Sequence, residues 1–320
     1  MRILITGVAG FVGRHLFKTL CNQYPDAVMH GTTIDQPPQR GDDRLQYHVI
    51  DLKNYNAIHE LLAQVQPDQI YHLAAQSSPR KSFVIPWETL ENNIKGQLNI
   101  IQACIALSLQ PRILVISSAE IYGPVQPDQL PINEDAPLRP TNPYGVSKVA
   151  QDMLGLQFYL SHKLPILRVR PFNHFGPGQS EGFVATDFAV QVARIEAGLQ
   201  DSVIEVGNLS AERDFTDVRD VVRAYTQIMD KGTSGEVYNV ASGKPYSIQY
   251  LLEVLLKYST AAIRIEVSPA RMMPIDVPIV CGDATRLSRL CGWQPIIPFE
   301  TTLLDVLNDW RSRVRQAAQP

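Results

Sequence analysis

Tyr144 and Lys148 stand four residues apart in the segment Pro143-Tyr144-Gly145-Val146-Ser147-Lys148. On a helix that spacing puts both side chains on one face, one turn apart. A phenol titrates near ~10 and is a poor acid or base at neutral pH. A neighbouring ammonium favours the phenolate, so the tyrosine can exchange a proton with a hydroxyl or a carbonyl. Both residue types are common on ordinary helix surfaces, and the spacing alone says little. Its companions give it meaning: Gly7, Gly10 and Gly13 near the N-terminus, then the pair Ser117-Ser118, in that order along the chain.

The elements that must position these groups read clearly from the apolar pattern. Residues 2–6 form a buried-strand run, and residues 11–21 read as a helix with Val12, Leu16 and Leu20 on one face. A strand, three spaced glycines and a helix are the parts of a dinucleotide pyrophosphate site. Glycine admits the backbone to the phosphates, and the helix N-terminus offers free N–H groups. Gly7, Gly10, Phe11, Val12 and Gly13 are the expected contacts; the bland alternative is a glycine turn that merely packs a strand on a helix. Further apolar runs fall at 27–34, 47–50, 69–73, 112–117 and 165–169, with helical patterns at 55–65, 89–108 and 143–159.

This alternation predicts an α/β fold, a doubly wound parallel Rossmann sheet over residues 1–170. Residues 171–320 are expected to form mainly a smaller C-terminal α/β substrate lobe, with some chain returning to the first domain. The proline-rich stretch 124–143 reads as a surface loop leading into the tyrosine helix.

Strand ends supply ligand contacts in such a sheet. Asp35 ends the second strand, where a carboxylate either meets the adenosine ribose and repels a 2′-phosphate or is simply an exposed loop residue. Asp51-Leu52 follows the third strand and Leu73-Ala74-Ala75 the fourth. Small residues there permit close approach to a diphosphate and ribose. His72 reads as a strand-packing residue. Ser117-Ser118-Ala119-Glu120 follows the fifth strand and should face Tyr144.

Composition narrows the class. The 320 residues are 45% hydrophobic and 19% charged, enough for a large core. A net charge of −3 gives no electrostatic reason to expect nucleic acid or an anionic membrane. Cys21, Cys104, Cys281 and Cys291 show no metal spacing and read as reduced thiols, and no metal is expected. With a strand starting at once and no membrane-length apolar run, a cytoplasmic protein without a signal peptide is expected.

The glycine turn, Ser118 and the Tyr144–Lys148 pair, taken in order, resemble the extended short-chain dehydrogenase/reductases acting on nucleotide sugars, over nearly the whole chain. The resemblance implies NAD(P)(H) as cofactor, and Asp35 tilts the expectation towards NAD(H). It makes Tyr144 the proton donor or acceptor, Lys148 the cation that lowers its pKa and holds the nicotinamide ribose, and Ser118 the hydrogen-bond partner of the same sugar oxygen. Arg170-Pro171-Phe172-Asn173-His174 with Gly176-Pro177-Gly178-Gln179 resembles the GDP-mannose branch of that family, its reductases more than its dehydratases. Pro171 and His174 are then expected near nicotinamide. Ser78, Asn173, Gln179, Arg213, Arg271 and Asp276 are expected on the substrate, a GDP-sugar, with Arg213 on its diphosphate. Met273 stands where relatives carry a second arginine.

The activity implied is reduction of GDP-4-keto-6-deoxy-D-mannose at C4 to GDP-D-rhamnose. Glu120 sits where dehydratases carry their C5 base, so a GDP-mannose 4,6-dehydratase is the alternative. A 4-epimerase would not explain Asn173-His174, and a catalytically inactive cofactor sensor would not need Ser118, Tyr144 and Lys148 together. Helices 89–108 and 143–159 correspond to the pair that relatives use for a four-helix homodimer interface, with Leu98, Ile101, Met153 and Leu156 as apolar contacts.

Overall fold

The computed structural model describes residues 1–36, 42–271 and 277–317. Six strands of its main sheet alternate with helices, in the order β1 (Arg2–Thr6), α1 (Phe11–Gln23), β2 (Val28–Thr33), β3 (Leu45–Val49), α2 (Tyr55–Val65), β4 (Gln69–His72), α3 (Pro79–Val84), α4 (Pro86–Ala106), β5 (Arg112–Ile116), α5 (Pro143–His162) and β6 (Ile166–Pro171). The remaining chain forms β7 (Asn173–Phe175), α6 (Val184–Glu196), β8 (Val203–Val206), β9 (Glu212–Asp217), α7 (Val218–Lys231), β10 (Val237–Val240), β11 (Pro245–Ser247), α8 (Ile248–Tyr258), β12 (Arg264–Val267), β13 (Ile279–Val280), α9 (Thr285–Cys291) and α10 (Phe299–Ala317).

The main sheet is parallel, with strand order β10-β6-β5-β4-β1-β2-β3. Its central strands are covered on both faces, so they read as unbroken apolar runs: Ile3, Leu4 and Ile5 of β1 are all buried. Ile3 and Ile5 join one core with α1 and α7, while Leu4 joins a second core with α2, α4 and α5 on the opposite face. The order reverses between β1 and β4, and a crevice opens at the carboxyl ends of strands at such a point. Helix α7 and strand β10 come from beyond residue 170, yet both pack into this layer.

A third core joins α6, α8 and α10 with β8 and β9. The short strands there pair as β11-β9-β13, with β7 on β9 and β12 on β8. Phe175, Phe215, Phe299 and Tyr246 meet there, Phe175 edge-on to Phe215 and Tyr246 stacked on Phe299 with ring centroids 4.1 Å apart and planes nearly parallel. Among the described residues no helix is long and apolar enough to cross a membrane.

Helix α5 carries Tyr144 and Lys148, and three devices fix it. Asn142 caps it, its Oδ1 accepting from Gly145 N at 2.7 Å, with Pro143 pre-set at the first turn. Asp152, one turn beyond Lys148, takes Arg168 Nη1 at 2.6 Å and Arg170 Nε at 2.9 Å, both from β6. All three of those side chains are buried, so the ion pairs lock α5 to the sheet at one height. Asn93 of α4 donates to Ser147 Oγ at 2.9 Å and to Gln76 O at 3.0 Å, joining the post-β4 loop to α5.

Ile101, expected on an intermolecular face, is fully buried in the core under α4. Its helix turns that position towards the sheet, so it has no area left for a partner. Leu98 and Leu156 are half-buried and Met153 is exposed.

Candidate active site

The crevice begins at the turn after β1. Gly7 has φ +69, and a Cβ there would lie 3.0 Å from Ala74 Cα, so β1 and β4 ends meet only because both residues are small. A Cβ on Gly13 would lie 2.4 Å from Gly7 O, which only glycine avoids. Gly10 precedes α1 as its N-cap, and no side chain caps that helix. The first-turn N–H groups of Phe11, Val12 and Gly13 are therefore not covered by a capping side chain, and the helix dipole favours an anion there. A bare floor and an uncapped helix end fit the pyrophosphate of a dinucleotide. Phe11 lies parallel to His174 with centroids 6.5 Å apart, so the turn and the post-β6 segment share one wall.

The catalytic candidates converge at the next strand end. Ser118 follows β5, and its Oγ accepts from Glu120 N at 3.2 Å. The Tyr144 phenol lies close enough to that hydroxyl for Ser118 to pull its pKa down. Lys148 Nζ lies 5.8 Å from the Tyr144 ring centroid and donates to Ile116 O at 2.9 Å and Gln151 Oε1 at 2.8 Å. Glu120 Oε2 accepts from Asn142 Nδ2 at 2.8 Å. One asparagine thus caps the tyrosine helix and holds the carboxylate beside it.

Electrostatics departs from the sequence expectation for Tyr144. Burial pushes the phenol well above its ordinary value; Ser118 pulls it down and Glu120 pushes it further up. Lys148 is spent on two acceptors of its own, so it does not overcome that burial. Burial brings Lys148 itself down to about 7. Its two short hydrogen bonds favour the ammonium and work against that depression.

The other candidates fall in several places. Leu73, Ala74 and Ala75 are half-buried along the crevice after β4. Asp35 is exposed two residues past β2, its own N–H turned back to Thr33 Oγ1. Asp51 is exposed and 3.7 Å from Lys53 Nζ, while Leu52 is half-buried and its carbonyl accepts from Asn99. Pro171 is buried at the end of β6, Asn173 is exposed, and the half-exposed His174 bonds Phe172 O through Nδ1 at 3.0 Å. Gln179 is buried, its Nε2 3.4 Å from His174 O. Ser78 caps α3 by accepting from Lys81 N. Arg213 donates to Val277 O at 2.6 Å, and Arg271 pairs with Glu205 at 3.4 Å. Asp276 and Met273 lie outside the described residues.

Sequence reasoning missed Asn142, Gln151 and His72. Asparagine before proline at a helix start is a readable capping signal, and Gln151 is three residues from Lys148 on the same helix. Nothing local points His72 at Lys148.

The GDP-mannose 4,6 dehydratase family matches residues 4–306. The GDP-6-deoxy-D-mannose reductase of Pseudomonas aeruginosa is 38% identical over 98% of this chain and 99% of its own. The GDP-mannose 4,6 dehydratase 2 of Caenorhabditis elegans is 27% identical, over 92% of this chain and 85% of its own. Among solved structures, RMD from Pseudomonas aeruginosa complexed with NADPH superposes with a TM-score of 0.86 at 36% identity, covering 98% of this chain and 99% of that one. With its glycine turn, Ser118, Tyr144 and Lys148 gathered at one crevice, the chain belongs to the GDP-mannose 4,6 dehydratase family.

Proposed function

We propose that this protein uses NAD(P)H to reduce GDP-4-keto-6-deoxy-D-mannose at C4, giving GDP-D-rhamnose. The observation that carries this reading is likeness along the full chain to a GDP-6-deoxy-D-mannose reductase, 38% identical over 98% of this chain. Ketone reduction needs a proton donor at the developing alkoxide, whereas the oxidation that starts a dehydration needs a base there. Tyr144, buried at the crevice with burial raising its pKa, is placed to keep and then give that proton.

When bound, the reduced dinucleotide supplies the hydride that C4 receives. Ser118 and Tyr144 orient the ketone oxygen by hydrogen bonds, and Tyr144 passes its proton to that oxygen as it gains charge. Lys148 steadies the phenolate that remains and binds the cofactor ribose. Gly7, Gly10 and Gly13 seat the pyrophosphate, and Phe11 with His174 walls the nicotinamide end. Arg213 is the cation for the sugar's diphosphate, which a guanidinium suits by charge and by its planar fork of donors.

A second reading, GDP-mannose 4,6-dehydratase, has Glu120 in its favour. Asn142 already holds that carboxylate, which suits it to a fixed structural role. Incubation with GDP-mannose and oxidised cofactor separates the two. Loss of water without net cofactor use overturns the reductase reading; NAD(P)H consumption only with the ketosugar supports it.

Asp35 favours NADH, and the ratio of kcat/KM for NADH and NADPH tests that lean. On α5, Val146, Met153 and Leu160 are exposed at seven-residue spacing, an apolar stripe suited to a second copy of the chain in a homodimer built on α4 and α5. A monomer in sedimentation at micromolar concentration would refute this. All four cysteines are free thiols, in keeping with a reducing compartment such as the cytoplasm.

A further inference from the structure

His72 ends β4 with 3% of its surface exposed, in contact with groups that no catalytic role above uses. Its Nδ1 is 2.9 Å from Thr6 Oγ1, and its Nε2 is 3.4 Å from Gln151 Nε2. Gln151 Oε1 accepts from Lys148 Nζ at 2.8 Å. Thr6 Oγ1 accepts from Ala74 N at 3.1 Å, and Ala74 is the residue packed against Gly7. A continuous polar chain therefore runs from the dinucleotide turn, through Thr6, His72 and Gln151, to the lysine beside Tyr144. Thr6 and Gln151 are fully buried, so solvent is not at hand to replace a misdirected partner.

We infer that His72 is a positioning residue for Lys148: its Nε2, acting as an acceptor, orients the Gln151 amide so that the amide oxygen faces the ammonium. The polarity of the chain follows from one fact. An ammonium offers only donors, so Gln151 must present its oxygen to Lys148, and its NH₂ then points at His72. His72 Nε2 must accept, which places the ring proton on Nδ1, donated to Thr6 Oγ1. With the opposite tautomer the amide would rotate and turn its NH₂ towards a buried cation. Lys148 would then keep Ile116 O alone, and its charge would be harder to hold. Burial and the Lys148 charge both keep the imidazole neutral, which leaves Nε2 free to accept.

The other groups facing Lys148 are Tyr144 on its own helix and, acting on that phenol, Ser118 and Glu120 from the segment after β5. None of them can set the Gln151 amide. The inference rests on Lys148 being the cation of the site, as proposed above, and adds what keeps it charged and aimed.

The test has a part that does not depend on turnover. A long-range ¹H–¹⁵N spectrum of the ligand-free protein at neutral pH should show His72 as the neutral Nδ1–H tautomer; an Nε2–H tautomer or an imidazolium overturns the inference. Because no substrate is present, that result stands even if the reductase reading fails. For function, His72→Gln retains an acceptor near the Nε2 position and His72→Phe removes it. The Phe variant should lose kcat by roughly ten-fold, the scale of one hydrogen bond to a charged group. Its alkaline limb should fall by about one pH unit, as expected when an ammonium loses an acceptor. The Gln variant should recover most of both. Equal losses in the two variants with an unmoved pH profile would mean that His72 only packs, and would overturn it. Should His72→Phe fail to fold, Gln151→Leu breaks the same link from the other side and must show the same downward shift.

Discussion

Lys148 Nζ sits 5.8 Å from the centre of the Tyr144 ring, one turn along the same face of α5, with its protons directed at Ile116 O and Gln151 Oε1. The cation therefore reaches the phenol through space, without a hydrogen bond of its own to it among the described contacts. In that arrangement burial governs the phenol, and Tyr144 holds its proton at neutral pH. Lysine matters most after the proton has left, when a phenolate must be tolerated in a buried site.

Removing that proton is the most direct challenge. Tyr144→Phe keeps the ring and its packing but has nothing to donate, so turnover of the ketosugar should fall by about 10²–10⁴-fold, the usual worth of a general acid. Dinucleotide binding, followed by fluorescence, should be nearly unchanged. Retained turnover would remove Tyr144 from the reaction.

Lys148 also makes a stability prediction with a definite sign. Burial brings its pKa from 10.5 to about 7 in the folded protein. Between those values the unfolded chain binds a proton that the folded chain does not, so this residue makes stability rise with pH across that window. Below it the full cost of a buried ammonium is present. Lys148→Met removes the charge, so the gain in Tm of the variant over the parent should be largest near pH ~6 and shrink towards pH ~10. The acceptors left on Ile116 and Gln151 lower the variant's Tm at every pH, which is why the slope is the readout. A difference independent of pH would contradict the depressed lysine.

Asp152 serves two buried arginines at once, Arg168 at 2.6 Å and Arg170 at 2.9 Å. Asp152→Ala strands both guanidinium groups away from water, and breaking a buried pair from one side costs about 3–5 kcal/mol. Urea unfolding should register that loss, and because the triad ties α5 to β6, activity should fall with it. A change below about 1 kcal/mol would mean that other acceptors take over, such as the Glu134 carbonyl that Arg170 already meets.

What the sequence made legible follows the range of the interactions involved. The first strand, the glycine turn and α1 are written locally, because apolar period and glycine spacing both act within about a turn. Strand β10 lies outside the apolar runs that mark the main sheet in the sequence. Its four residues look like any short buried strand, and only pairing with β6, some seventy positions earlier, assigns it to the main sheet. Helix α3 is not among the helical patterns read from sequence, although Ser78-Pro79 is a capping pair at its start; Ser78 enters there only as an expected substrate contact. His72 reads in the sequence as a packing residue, in keeping with its burial. Its link to Lys148 through Gln151 spans β4 and α5, and residue order does not encode it.

Glu120 is where the two candidate reactions part company. In a dehydratase it would take a proton from carbon, and Glu120→Gln would cost the ~10²–10⁴-fold expected for a lost general base. Here its Oε2 already accepts from Asn142 Nδ2, and a glutamine oxygen can accept the same bond with α5 still capped. The substitution removes the negative charge that helps hold the Tyr144 phenol up, which lets it fall somewhat while burial still keeps it protonated. Ketosugar reduction by Glu120→Gln should therefore stay within about ten-fold of the parent, since only one contribution to the phenol's acidity changes. Its alkaline limb, set by Lys148, should stay where it is, because the phenol titrates well above that lysine. A collapse of turnover beyond a hundred-fold would hand Glu120 the proton-abstracting role and reverse the assignment.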